Sequence, residues 1–459
     1  MKSKFALGAF LFITLAALLS VAQGFGLNLF WLPTAARWLA IIGLLGYAAT
    51  RRSLTTWILV GMVVGAEVGH DWPQVALNLR VLSQVFLRLI KMIVAPLLFA
   101  TLVVGIAGHS DLKKVGRLGI KALIYFEIAT TLALLVGLAA INISKAGVGI
   151  QLPASSRADQ VPVAKQSATD FILHIFPENI AKSVAEGQLL QIVAFSILFG
   201  IALALVSESK RQPMLRFSES LAETMFKLTN IVMLFAPIGV GAAIAYTVAN
   251  MGLNVLVNLL QLVATVYVAL LVFVLFVLLP IALLARVPLR KFARAITEPL
   301  SIAFATASSE AALPRAIEAM EGVGVPRHIV AFVLPTGYSF NLEGSSLYLS
   351  LATIFVAQAA GISLSWGQQI LIVLTLMLTT KGLAGVPRAS LVVLLGTVAS
   401  FNLPVEPVFI IVGIDQLMDM ARTAVNLIGN CLATAAIARW EGELAPEREM
   451  LAETVAPAK

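Results

Sequence analysis

Five polar residues share one predicted helix face near the carboxyl end of the chain. In the segment from about 405 to 440, they follow one another at steps of four, three, four and four residues: Asp415, Asp419, Arg422, Asn426 and Asn430. At 3.6 residues per turn, all five lie within about 80° of one face. A charged group at the centre of an apolar helix costs about 2.5 to 3.5 kcal/mol. These side chains must therefore pair with one another, contact a ligand or line a water-filled space.

The residue types suit a ligand that carries both carboxylate and ammonium groups. The guanidinium of Arg422 can hold a carboxylate through two parallel hydrogen bonds. Asp419 supplies the counter-charge that an ammonium needs at low dielectric constant. A simpler interpretation is that Asp419 and Arg422, one turn apart, neutralise each other as a structural pair. That interpretation leaves Asn426 and Asn430 unexplained.

The rest of the chain has the composition of an integral membrane protein. Of its 459 residues, 59% are hydrophobic and 12% are charged, and the mean hydropathy is +0.94. These values exclude a soluble enzyme and a disordered chain, and the single cysteine, Cys431, excludes an internal disulfide scaffold. The net charge of +8 lies mostly in short basic loops, which indicates a topology signal rather than nucleic-acid binding.

Apolar runs of about 20 residues predict membrane-spanning helices throughout the first 290 residues. They cover 5–23, 30–49, 54–69, 81–108, 116–142, 188–206, 219–249 and 255–285. Basic clusters after every second span predict cytoplasmic loops, cytoplasmic N- and C-termini and an outside loop at 144–187. We interpret residues 1–50 as an extra pair of spans, although the first would also fit a cleaved signal peptide. Residues 441–459 are a predicted cytoplasmic tail.

Small and polar residues interrupt the apolar runs after about residue 292. The interruptions are TASSEAALP at 306–314, GYSFNLEGSS at 337–346 and TTKGLAGVPRAS at 379–390. Unwound backbone at membrane depth is tolerated only beside protein or a water-filled cavity, and paired interruptions point to a transporter site. We predict an all-α polytopic membrane protein with inverted repeats and two re-entrant helical hairpins, separated by a helix interrupted near Asn341.

Residues from about 54 to 440 resemble the dicarboxylate/amino acid:cation symporter family, and within it the bacterial proton/sodium glutamate symporters. The three interruptions match its first hairpin, interrupted helix and second hairpin, and DMARTAVNLIGN matches its last helix. The resemblance implies a glutamate-transporter-like fold and a symporter of the bacterial inner membrane. It would take up glutamate or aspartate with sodium, protons or both by alternating access. C4-dicarboxylates are the alternative substrates. The resemblance also implies a homotrimer in contact with membrane lipid, without a cofactor and without nucleic acid.

The same resemblance implies roles for individual residues. Asp419 would bind the substrate ammonium, Arg422 the distal carboxylate, and Thr423 with Asn426 the backbone groups of the amino acid. The two hairpins would contribute Ser308, Ser309, Gly385, Val386 and Pro387. The sodium sites would use Thr130, Gly337, Ser339, Asn341, Glu343, Thr380 and Asn430, together with backbone up to Leu383.

Three departures from the family pattern bear on ion coupling and charge. Asn430 stands where the archaeal pattern has aspartate, and Glu343 is one methylene longer than the usual aspartate. Fewer carboxylates weaken a sodium site, so the resemblance implies fewer or weaker sodium sites, with protons contributing through Glu127, Glu310 or Glu343. Arg388 replaces a neutral residue and is either a solvated charge or a second cation near Asp419.

The sequence also predicts which segments move. Residues 291–440 would form the core transport unit. Within residues 54–290, the segments 54–69 and 188–285 would form the scaffold, and parts of 81–142 would move with the transport unit. An anion channel would need an open basic ring, and an enzyme would need a nucleophile with its base. The sequence shows neither feature. It also shows no group with transition-metal spacing and no glycine-rich phosphate motif.

Overall fold

The computed structural model describes residues 31–108, 112–150, 175–381 and 389–444, with a few isolated positions before residue 20 and at 173. Every regular element among these residues is helical, which confirms the predicted all-α class. Four predicted features lie wholly or mainly outside the described residues: the span at 5–23, most of the loop at 144–187, the second-hairpin segment with Gly385, Val386, Pro387 and Arg388, and nearly all of the tail.

We number the described helices in chain order. They are α1 (Leu32–Arg51), α2 (Leu54–Asp71), α3 (Pro73–Asn78), α4 (Arg80–Ala107), α5 (Leu112–Ser144), α6 (Ile180–Glu186), α7 (Leu189–Leu205), α8 (Glu208–Met233), α9 (Ala236–Met251), α10 (Val255–Phe273), α11 (Leu279–Leu284), α12 (Leu289–Thr306), α13 (Ser309–Val323), α14 (Arg327–Phe340), α15 (Glu343–Ala359), α16 (Trp366–Thr379), α17 (Ala389–Ser400) and α18 (Glu406–Glu441).

Several of these helices have the length and composition of membrane spans. Among the described residues, four segments qualify: Leu32–Arg51, Pro73–Ala107, Arg117–Ser144 and Val255–Leu284. A fifth is added if α8 and α9 are counted as one bent span. The segments agree with the membrane protein that the composition predicts.

The region predicted as one straight span at 219–249 is broken in the structure. Helix α8 ends at Met233, α9 begins at Ala236, and the two helices are bent by 52°. Pro237 lies in the first turn of α9, where the missing N–H of proline costs nothing. Because proline has no N–H to donate, it interrupts the hydrogen bonding that would continue α8. The prediction of an uninterrupted helix was therefore wrong here. A π-helical turn, Val274–Leu278, likewise separates α10 from α11.

Helices α2 and α9 pack with their backbones in contact. Gly61, Gly65 and Gly69 lie four residues apart along α2 and face the backbone of α9. A methyl group at any of the three would overlap a carbonyl oxygen of α9. Small residues at this spacing allow two membrane helices to approach closely. The two helices thus form a closely packed pair.

Helix α18 lies at the centre of the core. It contains 36 residues, most of them buried, and it packs against α9, α10 and each helix from α12 to α15. Helices α12 and α13 form a helical hairpin joined only by Ala307 and Ser308. The left-handed backbone of Ala307, with φ of 51°, makes this tight reversal. Helices α14 and α15 are separated only by Asn341 and Leu342, which confirms the predicted interruption there.

Candidate functional site

The five polar residues of the predicted stripe all lie on α18 and are all buried. Asp415, Arg422 and Asn430 are fully inaccessible to solvent. Burial removes these polar groups from bulk solvent, so they need compensating contacts from the protein or from a ligand. The stripe divides into two parts that make different contacts.

The first part is a group formed by Arg422, two aspartates and a tyrosine. Nη2 of Arg422 donates a hydrogen bond to Oδ1 of Asp419 at 2.7 Å and lies 3.1 Å from Oδ1 of Asp415. The guanidinium carbon lies 3.8 Å from the centre of the Tyr348 ring, in cation–π contact. The pair in the simpler interpretation, Asp419 with Arg422, is therefore present.

This pair leaves much of the guanidinium unused. Nε and Nη1 of Arg422, which carry three of its five N–H groups, have no hydrogen-bond partner among the described residues. Each buried donor without a partner costs about 1 to 3 kcal/mol. Among the described residues, the group combines this guanidinium with the carboxylates of Asp415 and Asp419. It is suited to a ligand with carboxylate and ammonium groups.

Asn426 joins α18 to the start of α15. Its Oδ1 accepts hydrogen bonds from the backbone N–H groups of Gly344 at 2.8 Å and Ser345 at 3.2 Å, and its Nδ2 donates to Oγ of Ser345 at 3.1 Å. The first N–H groups of a helix have no partner within the helix. Asn426 supplies that partner here, so its amide is already engaged by the protein. Thr423, the other residue expected to contact the substrate backbone, is buried nearby on the same helix.

The second part of the stripe meets the break between α14 and α15. Nδ2 of Asn341 donates to Oε1 of Glu343 at 3.0 Å and to Oδ1 of Asn430 at 3.3 Å. Nδ2 of Asn430 donates to the carbonyl oxygens of Asn341 at 3.2 Å and Asn426 at 2.9 Å. Gly337 lies against the Asn430 side chain.

Two oxygen atoms in this buried group have no hydrogen-bond partner among the described residues: Oδ1 of Asn341 and Oε2 of Glu343. Carboxylate and amide oxygens are the ligands that hard cations prefer. Four of the predicted sodium residues are thus brought together, and their chemistry fits a small cation.

Thr130, another predicted sodium residue, contacts a lysine instead. Nζ of Lys381 donates to Oγ1 of Thr130 at 2.8 Å and lies 3.0 Å from Oε2 of Glu127. Sequence reasoning missed the Lys381 side chain, although a lysine in a segment at membrane depth is itself a functional signal. It also missed Tyr348, for which the sequence offers no comparable signal.

Other predicted residues are less connected. Ser308 caps α13 by accepting a hydrogen bond from the N–H of Ala311, and Ser309 is buried. Within the described part of the chain, no polar contact joins either serine to the stripe on α18. Thr380 is buried, its hydroxyl has no hydrogen-bond partner in the part of the chain that the structure describes, and Ser339 is partly buried.

A peripheral ion cluster links α1 to α2. Arg37 forms ion pairs with Glu67 and, at 3.0 Å, with Asp71, and Nδ1 of His70 lies 2.8 Å from Asp71. Glu67, His70 and Asp71 are close enough together to hold a metal ion. The prediction that no such group exists was wrong, because their spacing brings them together at the end of α2. Arg37 forms an ion pair with each of the two carboxylates.

Comparison with known proteins decides the family. The family model described as the sodium:dicarboxylate symporter family matches residues 54–440. The chain belongs to this family.

Three curated relatives of this family member span most of its length. The chain is 45% identical over 426 residues to the proton/glutamate-aspartate symporter of Escherichia coli K12, covering 87% of this chain and 97% of the relative. It is 45% identical over 401 residues to the proton/sodium-glutamate symport protein of Bacillus caldotenax, covering 85% and 95%. It is 43% identical over 411 residues to C4-dicarboxylate transport protein 2 of Mesorhizobium japonicum, covering 87% and 93%. The resemblance seen in the motifs is confirmed, and the relatives are transporters rather than enzymes.

Proposed function

We propose that the protein is a secondary active symporter that takes up glutamate and aspartate, driven by a proton gradient, a sodium gradient or both. The observation that carries this proposal is the Arg422 group. It offers three N–H donors that no described residue accepts for a carboxylate, and the carboxylate of Asp419 for an ammonium. An acidic amino acid presents both complementary groups, with its side-chain carboxylate on Arg422 and its ammonium on Asp419.

C4-dicarboxylates are the second candidate substrates, and the names of relatives such as the Mesorhizobium protein favour them. A dicarboxylate would use the Arg422 donors but would bring no positive group to the two aspartates. Asp415 lies 3.1 Å from the guanidinium, and Asp419 lies 2.7 Å from it. Because both carboxylates would repel a ligand of charge −2, the amino acid is the better fit.

The coupling ions are assigned to the second part of the stripe. Asn341, Glu343, Asn430 and Gly337 would hold a transported sodium ion through oxygen atoms. We propose that Glu343 is the main carboxylate in this group, because it is fully buried and no described residue contacts one of its oxygen atoms by a hydrogen bond. The names of two relatives, a proton/sodium-glutamate and a proton/glutamate-aspartate symporter, agree with mixed ion coupling.

The packing of the helices supports a division into a static and a moving unit. The backbone contact between α2 and α9 suits a rigid scaffold, which α4, α7 and α8 would extend because α4 packs on α9, α7 and α8. Helix α5 packs along α15, which packs on α18, so α5 would move with α12–α18. In this proposal the α12–α13 hairpin is re-entrant and related to the second hairpin by an inverted repeat. The assembly is a homotrimer in the bacterial inner membrane, with both termini in the cytoplasm.

The decisive experiment is uptake of labelled substrate into proteoliposomes under separately imposed proton and sodium gradients. Concentrative uptake of glutamate and aspartate, exceeding that of succinate, is the expected result. A channel cannot accumulate substrate against its gradient. Uptake that ignores both gradients would contradict symport, and faster uptake of succinate would favour the second candidate. Cysteine pairs that join α9 to α18 should block uptake reversibly if the two units move relative to each other.

A further inference from the structure

Lys381 places a positive charge at the break between α14 and α15. The residue follows the carboxyl end of α16, and only 12% of its side chain is exposed. Its ammonium approaches three oxygen atoms: Oγ1 of Thr130 at 2.8 Å, Oε2 of Glu127 at 3.0 Å and the carbonyl oxygen of Phe340 at 3.5 Å. An ammonium has three N–H donors, so each donor has an acceptor within reach.

These three acceptors are of the types that bind hard cations. A hydroxyl, a carboxylate and a backbone carbonyl are all suitable ligands for sodium. Phe340 is the last residue of α14, and the final carbonyl groups of a helix lack partners within it and carry the negative end of its dipole. The carboxylate of Glu343, at the start of α15, also attracts the ammonium. The surroundings are those of a cation position.

We propose that the Lys381 ammonium is a resident cation, which occupies one of the cation positions of the symporter and keeps sodium out of it. This inference rests on the proposed function, because it concerns which ions the symporter binds. Thr130 is the residue that links the position to the predicted sodium sites. Two positive charges cannot share one small set of oxygen ligands in a buried region without strong repulsion. The chain would thus carry, as a covalent part of itself, a charge that a sodium ion would otherwise supply.

The test is the response of purified full-length protein to sodium, compared with choline at equal ionic strength. Lys381→Met removes the charge and keeps most of the side-chain volume. It should gain a sodium-dependent rise in Tm and a half-saturating sodium concentration for glutamate uptake at least about tenfold lower than that of the wild type, since a ligand stabilises the state that binds it. Lys381→Arg, which keeps the charge, should respond as the wild type does.

A matched control comes from an earlier turn of α5. Lys121 is a partly buried lysine that pairs with Glu441 at 2.8 Å, about 9 Å along the helix axis before Glu127. Lys121→Met loses the same charge and should leave the sodium response unchanged. Lys381→Gln is measured in parallel, because its amide can still contact Thr130 if the methionine variant folds poorly.

The outcomes separate this inference from the proposed function. Glutamate uptake by the wild type that responds to neither gradient contradicts symport. The thermal measurement needs no transport and concerns Lys381 alone. A sodium response in Lys381→Met or Lys381→Gln, including folding that occurs only in sodium, supports the resident cation. If sodium stabilises neither of these neutral variants at any concentration, the resident-cation inference is overturned.

Discussion

Arg422 and Lys381 are both buried basic side chains that interact with two carboxylates, yet their hydrogen bonding differs. Among the described residues, Arg422 faces Asp415 and Asp419, and its Nε and Nη1 find no partner. Lys381 pairs with Glu127 and is attracted by the charge of Glu343, and all three of its donors have an acceptor within reach. A site with unused donors is prepared to bind a ligand, whereas a saturated charge is part of the protein itself. We therefore assign substrate binding to Arg422 and a resident charge to Lys381.

The chemistry of the two side chains matches this difference. A guanidinium is a planar group with five donors, and it stacks on an aromatic ring while it binds a carboxylate. Arg422 does this with Tyr348. An ammonium is a compact point charge whose size and ligands are similar to those of a bound metal cation. A lysine at position 422 would thus lose the two-donor contact with a carboxylate.

The largest effect is expected for Arg422→Ala. Removing one partner of a buried ion pair typically costs about 3 to 5 kcal/mol, so glutamate and aspartate binding should weaken at least about a hundredfold. Affinity for neutral amino acids should rise relative to that for acidic ones, because the partner of the substrate carboxylate is lost. Competition for labelled glutamate uptake measures this change. Arg327→Ala is the control, because Arg327 has a side chain 90% exposed. If both variants bound acidic substrates equally well, Arg422 would not be part of the substrate site.

The next effect concerns Asp419, which should distinguish amino acids from dicarboxylates. In Asp419→Ser the substrate ammonium loses its counter-charge, while a dicarboxylate loses only a source of repulsion. Glutamate binding should weaken by about tenfold or more relative to succinate. The measurement is the ratio of the two inhibition constants in one uptake assay. Equal losses for both substrates would contradict the ammonium contact.

Ion coupling should respond to charge at the break between α14 and α15. The Asn430 amide donates hydrogen bonds to the carbonyl oxygens of Asn341 and Asn426. In Asn430→Asp a carboxylate would face those oxygens instead and be repelled by them. A bound cation would relieve that repulsion. The sodium dependence of glutamate uptake should therefore increase about tenfold, and the response of uptake to pH should decrease.

Glu343→Gln removes the buried carboxylate and should abolish or uncouple cation dependence. Uptake under separate sodium and proton gradients measures both variants. If Asn430→Asp left the sodium dependence of uptake unchanged, the assignment of the coupling ion to the break between α14 and α15 would be ruled out.

The smallest effect is expected at the peripheral ion cluster, where Arg37 also lies between two carboxylates. These groups are partly exposed, with 27% of the Arg37 side chain accessible, so solvent screens the charges. Arg37→Ala should cost about 1 kcal/mol and lower Tm by about 1 to 3 °C. Glutamate uptake per folded molecule should not change. A loss of uptake at constant Tm would show that this cluster takes part in transport.

Much of the candidate site could be predicted from local sequence. The spacing of Asp415, Asp419, Arg422, Asn426 and Asn430 requires a common helix face, because the period of an α-helix is a property of its backbone. The interruption at Asn341 followed from its small and polar neighbours. The bend before Pro237 was missed, because hydrophobicity alone continues through it. The close contact of α2 and α9 was also not predicted, since the glycines of α2 show a packing face but not its partner.

The sequence by itself determined the membrane environment, the helical class, the family and the polar face of α18, because composition, periodicity and motifs are local properties. Only the tertiary structure decided which polar groups meet across helices. Asn426 caps α15, Tyr348 stacks on Arg422, and Lys381 reaches Thr130 across 251 positions of the chain. Such contacts depend on how helices distant in sequence pack, and spacing along one helix carries no record of that packing.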